Sequence, residues 1–170
     1  MGTRDRLLPA EIVGTFLDKA PVDVAGMAKA LSLKVAYEPL PDDVSGKIEC
    51  ELSGPCKVTV NTRHSKTRQR FTLAHEIAHY VLHRDLIGDG IVDDGMYRSE
   101  QLFSAHERQA NNYAARTLMP VGLMRQAWDE GIDTAQGMAI RFDVSAQVAE
   151  IRMREVGCLL WPKAQRKMFA

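Results

Sequence analysis

Two imidazoles and a carboxylate fall at the spacing of a metal-dependent hydrolase in the run His75-Glu76-Ile77-Ala78-His79. A helix turns about 100° per residue, so residues four apart lie nearly one above the other on a single face. His75 and His79 can therefore grip one ion, with Glu76 flanking them within reach of water on that ion. The H-E-x-x-H pattern carries this chemistry: two neutral imidazoles as ligands and a glutamate as general base. A chain of this length contains the pattern by chance roughly once in a few hundred, so the surrounding segments have to support it.

A catalytic zinc site commonly has three protein ligands and a water, and the third ligand decides the chemistry. Asp85 stands where a longer H-E-x-x-H-x-x-G-x-x-H pattern puts its last ligand. The glycine that would turn the chain is Leu82 here, however, and Tyr80-Val81-Leu82-His83 continues a helical pattern. His83 lies one turn beyond His79, but three imidazoles on successive turns span about 12 Å between their outer Cα atoms, too far for one ion. Its plainer reading is a polar residue that caps the helix end or lines the cleft. Glu107 offers a third route, from a second helix. It shares a face with Ala110, Asn111, Ala114 and Leu118, whose small members let two helices approach closely. Such a set would be His₂Glu, as in thermolysin-type enzymes, and Asn111 could hydrogen-bond a ligand histidine. The plain alternative for Glu107 is a solvated acid near a helix N-terminus.

These residues need elements to hold them. Ser65 to His83 has the periodicity of one long helix. Ahead of it, Lys47 to Leu52 and Lys57 to Val60 alternate as two strands about a Ser53-Gly54-Pro55 turn, which predicts a hairpin, and Leu33 to Tyr37 alternates as another strand. Pro9 to Lys19 carries Ile12, Val13, Phe16 and Leu17 at helical spacing and is ended by Pro21; Val24, Met27, Ala28 and Leu31 suggest a second short helix. Asp85 to Ser104 is irregular, acidic and glycine-containing. It lacks the D-x-D-x-D-G order of an EF-hand and reads as a flexible loop near the site. Helices are then expected from Ala105 to Leu118, stopped by Pro120, and over Val121 to Trp128, Thr134 to Phe142 and Ser145 to Val156, with Gly157 as C-cap. The expected fold class is α+β: a mainly helical single domain with a small antiparallel sheet packed against the H-E-x-x-H helix. The domain would cover residues 1–157, with helix-turn-helix-like helices at about 134–156, and residues 158–170 would form a C-terminal tail.

The bulk properties agree with one soluble domain. At 170 residues and 19.0 kDa the chain can bury a real core, and 45% hydrophobic with 26% charged residues is ordinary for a globular protein. Lys plus Arg equals Asp plus Glu at 22 each, so no global field draws the chain to nucleic acid or to an anionic membrane. Cys50, Cys56 and Cys158 are odd in number and lack C-x-x-C spacing, which predicts free thiols in a reducing cytosol. The N-terminus has no apolar run of signal-peptide length, no stretch reaches membrane-spanning length, and Arg6 breaks the myristoylation pattern. The expectation is a cytoplasmic protein with no membrane partner.

Two stretches resemble the ImmA/IrrE metallopeptidases: Arg70-Phe71-Thr72-Leu73-Ala74-His75-Glu76-Ile77-Ala78-His79-Tyr80, and Glu107-Arg108-Gln109-Ala110-Asn111-Asn112-Tyr113-Ala114-Ala115-Arg116-Thr117-Leu118-Met119-Pro120. Val60-Asn61 also resembles the family's strand before the helix, and the similarity runs loosely from about Val22 to Gly157. Tyr113 stands where the family usually has Phe, and Thr117 where it has Leu. The resemblance implies a zincin-like fold and one Zn²⁺ held by His75, His79 and Glu107, with Glu76 catalytic. It implies a protein substrate, a helix-turn-helix repressor whose cleavage releases mobile-element or stress genes. Many members carry a further DNA-binding domain, for which 170 residues leave no room.

In such a site zinc lowers the pKa of its bound water to about 7, and Glu76 takes the water's proton and passes it to the leaving amine. A further donor should stabilise the oxyanion; Tyr80, Tyr97, His64 and His106 are the candidates. Two rival readings remain. Ala139 to Ser145, followed by Val148, Ile151 and Arg152, resembles helix-turn-helix packing. The would-be recognition helix, with Gln147, Glu150, Arg152, Arg154 and Glu155, carries little net positive charge for phosphate, so direct DNA binding is not expected. The second rival is a regulator that binds a repressor without cutting it.

Overall fold

Strand β3 (Cys56–Asn61) is the centre of the sheet, and its sequence explains why: every residue except Lys57 is buried, with Val58, Thr59 and Val60 β-branched. On one side β2 (Gly46–Cys50) pairs with it antiparallel, matching Gly46 to Val60 and Cys50 to Cys56. On the other side β1 (Lys34–Glu38) pairs with it in parallel, so the order is β1-β3-β2 and the sheet is mixed. The hairpin was legible from its turn; the parallel partner was not, because β1 joins β3 only after the 39–45 connection has crossed the end of the sheet. The computed structural model describes residues 7–51, 54–87 and 100–160.

Asn61 pins that crossing. Its side chain is fully buried; Nδ2 donates to the carbonyl oxygens of Pro41 and Val44 (3.0 and 2.7 Å), and Oδ1 accepts from the amides of Leu40 and Arg63. One amide thereby satisfies a run of backbone that the sheet cannot pair.

Cys50 and Cys56 are joined as a disulfide, which corrects the expectation of free thiols. Six residues of separation conceal a direct cross-strand pair that only the hairpin register reveals. Of the stretch expected to be irregular from Asp85 to Ser104, residues 100–104 belong to a helix and residues 88–99, with Tyr97, lie outside the described residues, as does the tail from 161 onward.

The helices follow the predicted order: α1 (Pro9–Gly14), α2 (Val24–Ala30), α3 (Lys66–Leu82), α4 (Glu100–Leu118), α5 (Val121–Asp129), α6 (Ala135–Phe142) and α7 (Ala146–Leu160), with a 3-10 turn at Arg84–Leu86. Helix α1 is shorter than its periodicity suggested. After Gly14 the backbone tightens to three-residue bonds, Phe16 to Val13 and Leu17 to Gly14. Gly157, expected as a cap, lies inside α7. Asp143 ends α6 in the left-handed conformation (φ 53°), and its carboxylate lies 3.6 Å from Nε of Arg70 on α3. Arg70 also donates to the carbonyl oxygen of Val22, so a single guanidinium ties α3 to the α6–α7 turn and to the segment before α2. Burial holds its pKa below the usual arginine value, against the charges of Asp143 and Asp23.

The core lies between the sheet and α3 and continues through α2, α4, α5, α6 and α7, with Met27, Val58, Ile77, Leu118, Met124, Met138 and Phe142 fully buried. Burying a side chain such as Ile77 stabilises by roughly 1.5–3 kcal/mol. Among the described residues no helix is long and apolar enough to cross a membrane.

Candidate metal centre

Helix α3 starts at Ser65, whose hydroxyl accepts from the amide of Arg68, and ends at His83, whose amide donates to the carbonyl of His79. Its Leu73, Ala74 and Ile77 are buried in the core. That leaves His75 and His79 half-buried on the face that meets α4. Ala110, Ala114 and Leu118 on α4 are fully buried, and the two alanines let the helices approach closely. The helices run antiparallel here: Asn111 meets His75, while His106, earlier in α4, meets His83.

This approach brings three potential ligand atoms together. Nε2 of His75 and Nε2 of His79 are 3.0 Å apart. Glu107 completes the triangle, with one oxygen 3.2 Å from His75 Nε2 and the other 3.2 Å from His79 Nε2. A tetrahedral ion with ligand bonds of about 2.0–2.1 Å separates its ligand atoms by about 3.3 Å, so the donor set fits a divalent ion in both chemistry and spacing. Among the described residues His75, His79 and Glu107 form a group able to hold a metal. Asp85 lies in the 3-10 turn and is not part of it.

Outside the triangle, Nδ1 of His75 lies 3.0 Å from Oδ1 of Asn111, as expected for an amide that orients a ligand. Nδ1 of His79 lies 3.1 Å from Nδ1 of His83, a contact that sequence reasoning missed although the i, i+4 spacing allows it.

The electrostatics separate the two glutamates. Glu107 is held below the carboxylate range by hydrogen bonds to His75 and His79. Glu76 is 6% exposed, and burial pushes its carboxyl up to about 7, opposed by His75 and reinforced by the charge of Glu107. Burial alone would lower His75, but its hydrogen bond to Glu107 and the charges of Glu76 and Glu107 hold it above its ordinary value. Gly46, at the start of β2, permits the close packing beside Glu76. A Cβ there would come within 2.7 Å of the Thr59 carbonyl oxygen and 3.6 Å of Glu76 Oε1.

The oxyanion candidates sit in different places. Tyr80 packs against the core with the Arg84 guanidinium 4.5 Å above its ring. His64 lies in the turn between β3 and α3, with Nε2 3.0 Å from the Asp42 carbonyl oxygen. His106 stacks on His83 at 4.6 Å between ring centroids, beside the cluster. Tyr97 lies outside the described residues.

The family model described as the IrrE N-terminal-like domain, Peptidase_M78, matches residues 28–154 and so spans both helices of the site. The chain belongs to this family. No curated protein gives a match. Among solved structures, the Peptidase_M78 fold here is similar to a Mycobacterium tuberculosis transcriptional regulator, with a TM-score of 0.58 and 18% identity. The match covers 85% of this chain and 46% of that one, so the chain spans about half the length of that regulator. At this identity the likeness concerns the fold. The family is one of metallopeptidase type, and the His-His-Glu group, which could hold a metal ion, is consistent with it.

Proposed function

We propose that the chain is a zinc-dependent endopeptidase that cleaves a specific protein partner in the cytoplasm, a helix-turn-helix repressor, and so relieves repression in a stress or mobile-element response. The observation that carries this reading is the triangle of His75, His79 and Glu107 ligand atoms next to the buried carboxyl of Glu76.

One zinc per chain, bound at that triangle, would supply Lewis-acid polarisation of a peptide carbonyl and acidify the attacking water. Glu76, titrating at about 7, suits a general base near neutrality: it takes the water's proton and delivers it to the leaving amine. Asn111 holds His75 in orientation through Nδ1. The partner class follows from the resemblance to ImmA/IrrE proteins, and the solved neighbour is itself described as a transcriptional regulator.

The charges of α7 argue against direct DNA binding as the main activity. Arg152 is buried, with Nε donating to the Met119 carbonyl and Nη1 to Glu155, and Arg154 pairs with Glu150 at 2.7 Å. Arg152 is thus turned into the protein, and the exposed Arg154 sits beside Glu150, so the helix offers little net positive charge to phosphate.

Elemental analysis of the parent and Glu107→Ala tests the metal, and incubation of the parent and Glu76→Gln with a purified repressor tests the chemistry. The expected results are near-stoichiometric zinc lost in Glu107→Ala, and cleavage lost in Glu76→Gln with zinc retained. A parent empty after zinc-replete growth, or a Glu107→Ala protein that holds zinc equally well, would overturn the ligand set. A Glu76→Gln protein with undiminished effect would favour a regulator that binds without cutting.

A further inference from the structure

Each imidazole in the triangle must present Nε2 as a lone pair, which requires its proton to sit on Nδ1. For His75, the side-chain oxygen of Asn111 accepts a hydrogen bond from that Nδ1–H. His79 has no such oxygen at its Nδ1; the neighbouring atom is another imidazole nitrogen, Nδ1 of His83, at 3.1 Å. A nitrogen–nitrogen contact leaves open which ring donates, so the direction has to be decided elsewhere.

It is decided on the far side of His83. That ring is 7% exposed, and its Nε2 lies 2.8 Å from Oε1 of Gln109, a carbonyl-type oxygen that can only accept. Nε2 of His83 therefore carries a proton, and in a neutral ring Nδ1 is left as the acceptor. An ion in the triangle would take the place of the proton that His79 Nε2 otherwise donates to Glu107, and His79 would then donate from Nδ1 to His83. The rings of His79 and His106 flank His83 at 5.2 and 4.6 Å between centroids, which limits its rotation out of this arrangement.

We propose that His83, oriented by Gln109, is a positioning residue that fixes His79 in the tautomer required of a metal ligand. The proposal rests on the metal-site reading above and deepens it. Helical spacing excluded His83 as a third ligand, since three residues in one helical row cannot share one ion, but the third can hold the second in place.

Two measurements on the full chain test this. Nitrogen-15 correlation spectra of the histidine rings of the zinc-loaded chain should show His79 protonated at Nδ1 and His83 protonated at Nε2 with its Nδ1 bare; a His83 protonated at Nδ1 overturns the proposal. Zinc affinity by chelator competition should fall about 10–100-fold in His83→Phe, which keeps an aromatic ring but offers no acceptor. His83→Asn, whose side-chain oxygen can replace Nδ1, should stay within about threefold of the parent. Gln109→Leu, which leaves His83 itself in place, should weaken zinc several-fold and serves as the readout if His83→Phe does not fold. A folded His83→Phe or Gln109→Leu protein with parental affinity, or equal losses in His83→Phe and His83→Asn, would overturn the relay. If the parent and Glu107→Ala bind zinc equally poorly, the metal-site reading itself has failed, whatever the ring spectra show.

Discussion

Oδ1 of Asn111 stands 3.0 Å from Nδ1 of His75, one helical turn along α4 from Glu107. Helix α4 thus supplies both a ligand and the group that orients another ligand, so the metal site depends on how α4 is seated against α3. Replacing Asn111 by Ala should weaken zinc binding by about 10-fold or more while leaving the fold intact. Asn111→Asp, which keeps the acceptor, should retain most of the affinity. Chelator competition on both variants checks this; equal and large losses would mean that the amide group matters for packing instead.

Glu76 makes the stability of the chelator-treated protein depend on pH in an unusual direction. In the fold its carboxyl holds a proton up to about 7, whereas its ordinary value is 4.5. The folded state therefore binds more protons than the unfolded chain in that window, and stability falls as pH rises through it. His75, also raised, adds to the loss above 6.5. Glu107, lowered, acts the other way, and its contribution is lost only as pH falls below the ordinary carboxylate range. Glu76→Gln removes the first of these effects. Its stability relative to the parent should improve between pH 4 and pH 8 by up to roughly 3 kcal/mol. Urea unfolding at the two pH values measures this, and a constant difference would mean that Glu76 ionises in the fold as it does in water.

Asn61 gives a prediction about the scaffold. Its side chain is fully buried and bonded to backbone groups of the crossing loop, so Asn61→Ala should leave several of them unpaired. The expected cost is about 3 kcal/mol. Asn61→Asp should cost at least as much, since an acceptor would then face the carbonyls of Pro41 and Val44. Denaturant melts of the two variants would expose the error if Asp proved harmless.

The cross-strand disulfide should matter for stability and little for the metal. Closing the short loop between Cys50 and Cys56 stabilises by roughly 2 kcal/mol in the chain-entropy account. Reductant should lower the melting temperature of the parent to that of the Cys50→Ser, Cys56→Ser double variant and leave that variant unmoved. A parent insensitive to reductant in thermal melts would show that the bond contributes nothing under those conditions.

The sequence by itself determined what local spacing can determine. His75, Glu76 and His79 share a helix, so the 3.6-residue period alone sets two histidines on one face. The approximate bounds of α3 and the β2–β3 hairpin followed from the same short-range rules. The α+β class followed from the order of such segments. Tertiary structure decided whatever depends on two segments meeting. Glu107 was one of three candidate ligands until α4 was laid antiparallel on α3 and its oxygens came to 3.2 Å from both imidazoles. The partnership of His83 with Gln109, the pairing of Cys50 with Cys56, the parallel place of β1 and the anchoring of the 39–45 connection by Asn61 belong to the same class. Each is a contact whose geometry is set by packing between elements, and periodicity within one element carries no record of its neighbour.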